Sequence, residues 1–292
     1  MKVLHDIDVT RRAIRDQQQS GHTVGLVPTM GALHEGHLSL IRTARAQCDT
    51  VAVTIFVNPL QFGPNEDLAE YPETMEEDLA KCEAEGVSVV FAPSETTMYP
   101  GDVVTTVHVR RLTEGLCGGR RPGHFDGVAT VVAKLFQIIP ADKAFFGEKD
   151  FQQLVVIRQM VQDLNIPIEI VACPTVREPD GLAMSSRNAY LSPQERRQAV
   201  LLSKSLFAAA DHVKMGERGT SSLVDEIRTT IATAEPATID YVEIVDARTL
   251  ESLEQIDRQA RICAAVHFGS CRLIDNVGID APHRRDRIPQ AS

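Results

Sequence analysis

The chain has 292 residues, 43% of them hydrophobic and 24% charged, and its 30 basic and 40 acidic side chains give a formal net charge of -10. This is the composition of a globular protein large enough to bury a core without staples, and the length allows one large domain or two ordinary ones. The acidic balance argues against a nucleic-acid partner, which calls for a basic face, but leaves room for a small basic pocket. No apolar run approaches the roughly 20 residues that cross a bilayer, and Met1 to Thr10 is too charged for a secretory leader. Cys48, Cys82, Cys117, Cys173, Cys263 and Cys271 form no C-x-x-C pair. They read as thiols of a reducing compartment rather than a disulfide framework or a zinc site. A cytoplasmic protein with no membrane partner is expected.

Short apolar runs alternate with helical patterns along the first 176 residues. Val24 to Val27 predicts a strand ending at Pro28, and Leu38, Ile41, Ala44 and Arg45 follow at helical spacing. Val51 to Val57 is β-branched and nearly all apolar, as in a strand covered on both faces. A helix over about Thr74 to Ala84 and a strand over Val87 to Phe91 come next. Val128, Val131, Val132, Leu135, Phe136 and Ile139 mark the apolar face of a further helix. Ala144 to Phe146 reads as a brief strand, and Asp150 with Gln153 three residues on as an acidic variant of the capping box. Ile166 to Val171 is the last strand of this series. Strands separated by helices imply right-handed βαβ units and a parallel sheet, with ligands beyond the carboxyl ends of the strands.

After about Val176 the pattern changes to α+β. Ser192-Pro193-Gln194-Glu195 carries a Ser N-cap, Pro at the first helical position and Glu at the third. A long helix, a break near Gly216 and Gly219, a helix near Leu223 to Ile231, and strands at Tyr241 to Val245 and Ile262 to Phe268 follow. A Rossmann-like parallel-sheet domain over 1–176 and a smaller α+β domain over 177–292 are expected, with a polar tail from Ala281 that frays. There is no internal repeat.

The strongest local signal is Pro28-Thr29-Met30-Gly31-Ala32-Leu33-His34-Glu35-Gly36-His37, between a strand and a helix. Backbone N–H groups and the helix dipole favour phosphate at such a junction. Gly31 and Gly36 let the chain turn and let a ligand approach the backbone. His34 and His37 are three apart and face the same side in the first helical turn. There they can donate hydrogen bonds to charge developing at phosphorus. A metal reading of His-x-x-His lacks further ligands nearby. The near match to a phosphate-binding loop from Gly31 to Gly36 has His37 where Lys belongs and Leu38 where Ser or Thr belongs.

Gly147-Glu148-Lys149-Asp150 lies at a second strand-to-helix junction, where Lys149 suits phosphate oxygens and Asp150 suits a helix cap. Met184-Ser185-Ser186-Arg187-Asn188 sets two hydroxyls before a guanidinium, in a loop between the domains. It reads as a triphosphate contact or as a polar surface loop. The amides Asn58, Gln61 and Gln153 can orient a hydroxylated acid without adding charge. Glu77 and Asp78 read as solvated helix residues, with a Mg²⁺ environment as the sharper alternative.

Together these segments resemble the pantoate–β-alanine ligase family. Val27 to Gly31, Leu33 to His37, Phe56-Val57-Asn58-Pro59, Gln61-Phe62, Arg121-Pro122-Gly123-His124-Phe125, Phe146 to Gln153, Ser185 to Asn188 and Leu273-Ile274-Asp275-Asn276 stand in family order over roughly residues 1 to 280. Leu116-Cys117-Gly118-Gly119 and the basic tail Arg284 to Arg287 are less typical. The resemblance implies a nucleotidylyltransferase-type fold and a cytosolic homodimer. It implies condensation of (R)-pantoate with β-alanine through a pantoyl-adenylate, with Mg-ATP consumed. By resemblance ATP is held by Met30, Gly31, Ala32, Leu33, His34, Glu35, Gly36, His37, Gly147, Glu148, Lys149, Asp150, Val176, Met184, Ser185, Ser186 and Arg187. Gln61 and Gln153 would hold pantoate, Gln61 also lies near β-alanine, and His37 is the proton donor. Catalytic roles are expected for His37, His34, Lys149 and Arg187. The competing readings are another adenylyltransferase sharing His-x-Gly-His, an aminoacyl-tRNA synthetase-like fragment, and a nucleotide sensor on the same fold.

Overall fold

The computed structural model describes residues 1–279 except Asn65, Asp67, Ala69, Glu70, Glu73 and Pro236. The segment from Ala281, with Arg284 to Arg287, lies outside the described residues. The chain forms two compact units, Met1–Ala189 and Tyr190–Ser292, so residues 177–189 group with the first.

The first unit runs β1 (Lys2–Leu4), α1 (Ile7–Gln19), β2 (Val24–Thr29), α2 (Glu35–Gln47), β3 (Thr50–Ile55), α3 (Met75–Ala84), β4 (Val89–Phe91), α4 (Glu95–Met98), α5 (Leu116–Arg120), α6 (His124–Ile138), β5 (Lys143–Gly147), α7 (Phe151–Asp163) and β6 (Glu169–Cys173). Its six strands pair in parallel in the order β1-β4-β3-β2-β5-β6. The chain steps outward from β2 through β3 to β4, then returns to pair β5 on the other side of β2. Strand order therefore reverses between β2 and β5, and a crevice opens beyond their carboxyl ends.

Every residue of β3 is buried, as its β-branched run predicts. Val27, Ile41, Val53, Val90 and Phe145 belong to one core cluster that joins the sheet to α2. The first strand and helix carry weaker sequence signals. Asp6 caps α1 by accepting from Val9 N at 2.9 Å, in a stretch that reads from sequence only as charged. At α7 the expected cap is not formed: Asp150 is the N-cap residue but makes no side-chain cap bond. The turn Glu148–Asp150 precedes the helix and sets the Asp150 carboxylate 3.6 Å from Lys149 Nζ instead.

The second unit holds α8 (Pro193–Lys214), α9 (Thr220–Ile231), and the antiparallel sheet β7 (Ala237–Asp246), β8 (Ala260–Phe268), β9 (Cys271–Ile279). The capping box expected at Ser192 is present: Glu195 N donates to Ser192 Oγ at 3.3 Å, and Ser192 N donates to Glu195 Oε2 at 2.8 Å. All six cysteines are buried and none forms a disulfide. Among the described residues no helix is long and apolar enough to cross a membrane.

Candidate active site

A cavity of about 250 Å³ opens at the carboxyl ends of four neighbouring strands. Met30 follows β2, Phe56, Asn58 and Gln61 follow β3, Gly147, Lys149 and Asp150 follow β5, and Pro174, Thr175 and Val176 follow β6. Met184, Ser185, Ser186 and Arg187 complete one wall. An apolar wall comes from Val128, Val131, Val132 and Leu135 of α6 with Phe145 and Phe146 of β5.

Two imidazoles stand where α2 begins. His34 is the N-cap residue, and its Nδ1 accepts the Gly36 N–H at 3.1 Å. His37 lies at the third helical position, and its Nδ1 accepts the His34 N–H at 3.3 Å. A nitrogen that accepts carries no proton, so each neutral ring has its N–H at Nε2. The ring centroids are 4.2 Å apart. Burial, then the positive charge of Lys149, lowers the His34 pKa to about 4. Burial, then its neighbour His34, lowers that of His37 to about 3. Both rings are therefore neutral at pH 7 and offer a hydrogen bond without carrying charge. Gly36 is required by this cap, because a Cβ there would come within 2.8 Å of His34 Cε1.

The loop between β2 and α2 reverses through two left-handed residues, Gly31 at φ 87° and Ala32 at φ 50°. Such a conformation at a residue other than glycine costs on the order of 1–3 kcal/mol unless the surroundings hold it. Asp78 of α3 meets that cost. It is only 1% exposed and accepts the N–H groups of Ala32 at 2.8 Å and Leu33 at 2.7 Å. This corrects the solvated reading of Asp78, while Glu77 is exposed as expected. Gly31, Ala32 and Leu33 do not line the cavity; Ala32 and Leu33 are tied to α3 instead, and Gly31 N donates to Thr29 Oγ1 at 3.2 Å.

The amides divide into two kinds. Gln61 and Gln153 line the cavity, and so does Asn58, but Asn58 is 1% exposed and bonded on all sides. Its Nδ2 donates to Gly127 O and Gln61 Oε1, both at 3.1 Å, and its Oδ1 accepts from Tyr99 Oη at 2.8 Å. Asn58 thus fixes the side chain of Gln61. The Gln61 backbone is fixed by His124, whose Nδ1 lies 2.8 Å from Gln61 O, while Arg121 donates to His124 Nε2 at 3.0 Å. Arg121 also grips Glu66 with two bonds of 2.7 and 2.5 Å. Burial, then the Arg121 charge, lowers the His124 pKa to about 4.

Arg121, His124, Phe62 and Tyr71 line the cavity without having been assigned roles from sequence. The signal was the Arg-Pro-Gly-His-Phe motif, whose chemistry is silent until its neighbours are known. Gly127 was also missed: a Cβ there would lie 2.2 Å from Leu60 O and 2.6 Å from Gln61 N, so α6 seats against the turn Pro59–Gln61 only through glycine. The less typical Gly118 has a similar cause, since a Cβ there would lie 2.0 Å from Thr113 O. Gln152, 7% exposed, anchors this region through Cys117 N at 3.0 Å and Leu112 O and Gly115 O at 2.9 Å.

Of the residues expected to hold ATP, Met30, His34, Gly36, His37, Gly147, Lys149, Asp150, Val176, Met184, Ser185, Ser186 and Arg187 line one cavity. Glu35 and Glu148 do not; Glu35 pairs with Arg42 on the surface of α2. Among the described residues no group of three or more His, Cys, Asp or Glu side chains could hold a metal ion.

Strand order and the place of the cavity put the first unit among the nucleotidylyltransferase-like α/β folds. The chain belongs to the pantoate–β-alanine ligase family, whose model, described as Pantoate-beta-alanine ligase, matches residues 2–278. Pantothenate synthetase of Acetivibrio thermocellus is 53% identical over 280 residues, covering 96% of this chain and 100% of the relative. Pantothenate synthetase of Heliobacterium modesticaldum is 54% identical over 281 residues, with coverage of 96% and 100%. The crystal structure of pantothenate synthetase from Thermus thermophilus superposes with a TM-score of 0.90 at 43% identity, over 95% of this chain and 99% of that one. That of the Francisella tularensis pantoate–β-alanine ligase, complexed with β-γ ATP and β-alanine, gives 0.78 at 34% identity, over 95% and 97%.

Proposed function

We propose that this chain condenses (R)-pantoate with β-alanine, consuming ATP and releasing AMP and pyrophosphate. The observation that carries the reading is the pair of neutral imidazoles at the start of α2, in the same cavity as Lys149, Arg187, Gln61 and Gln153. In the first step a pantoate carboxylate oxygen bonds to the α-phosphorus and the bond to the β-phosphate oxygen breaks, so pyrophosphate leaves. The Nε2–H groups of His34 and His37, with Lys149 and Arg187, stabilise charge that grows on the phosphoryl oxygens. His37, which the family resemblance casts as proton donor, acts in this scheme as a neutral hydrogen-bond donor that keeps its Nε2 proton. Gln61 and Gln153 hold the hydroxy acid, Asn58 sets Gln61, and the apolar wall of α6 and β5 keeps water from the acyl-adenylate.

In the second step the neutral amine of β-alanine attacks the activated carbonyl. A C–N bond forms, the C–O bond to AMP breaks, and the amine loses a proton to solvent. Positioning dominates this step. Mg²⁺ belongs to the substrate: the described residues offer no cage of carboxylates, and this ion is characteristically held by phosphates and water with few protein ligands. In this reading the first unit carries ATP and pantoate and the chain is a cytoplasmic homodimer of the family type; light scattering in solution tests the dimer.

The experiment is AMP release from Mg-ATP with pantoate and β-alanine supplied singly and together. Steady AMP with both, alongside pantothenate, is expected. Release of pyrophosphate without AMP would favour another adenylyltransferase of the His-x-Gly-His type.

A further inference from the structure

Asp78 sits in the first turn of α3, 45 residues beyond the loop it holds, and its carboxylate is enclosed. Oδ1 accepts the N–H of Leu33 at 2.7 Å, and Oδ2 accepts the N–H of Ala32 at 2.8 Å and the hydroxyl of Thr74 at 3.0 Å. One turn further on, Lys81 Nζ donates to the Leu33 carbonyl at 2.8 Å. A single helix thus takes hold of the Ala32–Leu33 backbone through donors and acceptors alike. The segment it holds begins at Ala32, the second of the two adjoining left-handed residues, and is followed at once by His34. The ring of His37 is oriented by the His34 N–H, so it inherits the placement of that backbone. With both oxygens occupied by donors and 1% exposure, the carboxylate has no open face for a cation.

We propose that Asp78 is a positioning residue for the adenylation step: it fixes the reversal at Gly31–Leu33 and thereby sets where His34 and His37 meet the nucleotide. It touches no substrate and acts through the backbone. The inference rests on the adenylating function proposed above.

The test is Asp78→Asn in the full chain. The amide keeps one acceptor and sets an NH₂ against one of the two backbone N–H groups. Pantoate-dependent exchange of pyrophosphate into ATP is measured per folded molecule, together with the Mg²⁺ dependence and the histidine titrations by NMR. A misplacement of about 1 Å costs roughly 100-fold in rate, so kcat is expected to fall by about that factor while the KM for pantoate holds within about twofold. The Mg²⁺ requirement stays unchanged, and at least one of the two imidazoles moves its titration toward the ordinary histidine range. Wild-type kcat in the folded variant would overturn the proposal, as would a loss that higher Mg²⁺ restores. If the wild-type chain does not exchange pyrophosphate at all, the adenylation reading fails. The NMR titration still decides the clamp, because unchanged histidines in Asp78→Asn would sink it. Should that variant not fold, Thr74→Val combined with Lys81→Met loosens the same grip from both ends. An exchange rate reduced by about fivefold is expected there, on the same positional argument, and an undiminished rate overturns the proposal.

Discussion

His37 Nδ1 accepts the backbone N–H of His34 at 3.3 Å, so the second imidazole is oriented by the residue that carries the first. A hydrogen bond to Nδ1 and a buried ring give a neutral donor whose proton sits at Nε2. For these two rings burial has a function beyond packing, because it keeps them neutral as the pH falls.

The first prediction concerns pH. The folded-state pKa values of His34, His37 and His124 lie at about 4, 3 and 4, below the ordinary value of 6.5. Between those limits the unfolded chain binds more protons than the folded one, so stability rises with pH across this window. The destabilisation is absent above about pH 6.5 and grows as the pH falls toward 4. Calorimetry from pH 7.5 to 4.5 should show Tm declining below 6.5, and His37→Gln should flatten part of that slope. The adenylation kcat should show no break at 6.5 arising from these histidines. A break there that disappears in His37→Gln would contradict the neutral assignment.

Removal of the phosphate-facing groups comes next. Deleting a preorganised donor to a charged transition state costs roughly 10²–10³ in kcat. His37→Ala and Lys149→Ala should each lose about that much pyrophosphate exchange while remaining folded by circular dichroism. Near-normal turnover in both would remove these residues from the proposed chemistry.

Gly127→Ala tests how α6 seats the pantoate side of the cavity. Its Cβ would meet backbone atoms at 2.2 and 2.6 Å, and neither Leu60 O nor Gln61 N can turn away as a side chain could. Overpacking of this kind costs about 1–3 kcal/mol. A lower Tm is expected, with the KM for pantoate raised and that for ATP little changed.

Asn58→Asp should be more damaging than its size suggests. The substitution replaces a donor with an acceptor opposite Gly127 O and Gln61 Oε1. A buried group left unpaired costs about 1–3 kcal/mol. Tyr99→Phe, which removes only the bond to Asn58 Oδ1, should cost less. Thermal melts of the two variants give the ranking, and equal stabilities would show that Asn58 is not a supporting hub.

What was legible in the sequence followed the reach of each signal. The β3 run and the cap at Ser192 are local patterns with local causes: the cap formed as read, and the strand formed over Thr50–Ile55, two residues short of the expected end at Val57. Asp78 was illegible because it follows Glu76 and Glu77 on an amphipathic helix, where three acids in a row look solvated. Its partners lie 45 and 46 residues upstream. His34 was read as a phosphate-facing ring but not as an N-cap, because histidine is not a favoured capping residue. Asp150 erred the other way: the residue type suits a cap, but Lys149 draws its carboxylate aside. Gly127 gave no sign at all, since its neighbour across the interface is a main-chain carbonyl.

The buried cysteines have a practical consequence. Cys48, Cys82, Cys117 and Cys173 lie in the first unit, and Cys263 and Cys271 in the second. A thiol sealed in the interior can be alkylated only when the chain around it opens, so labelling each sulfur over time reports when that region breathes. With intact-mass and peptide readouts, one reagent would time the opening of the nucleotide-fold unit and of the C-terminal unit separately, with no label added. Ligand-induced protection of Cys82, on the helix that carries Asp78, would then show occupancy of the distant cavity as a slowed chemical clock.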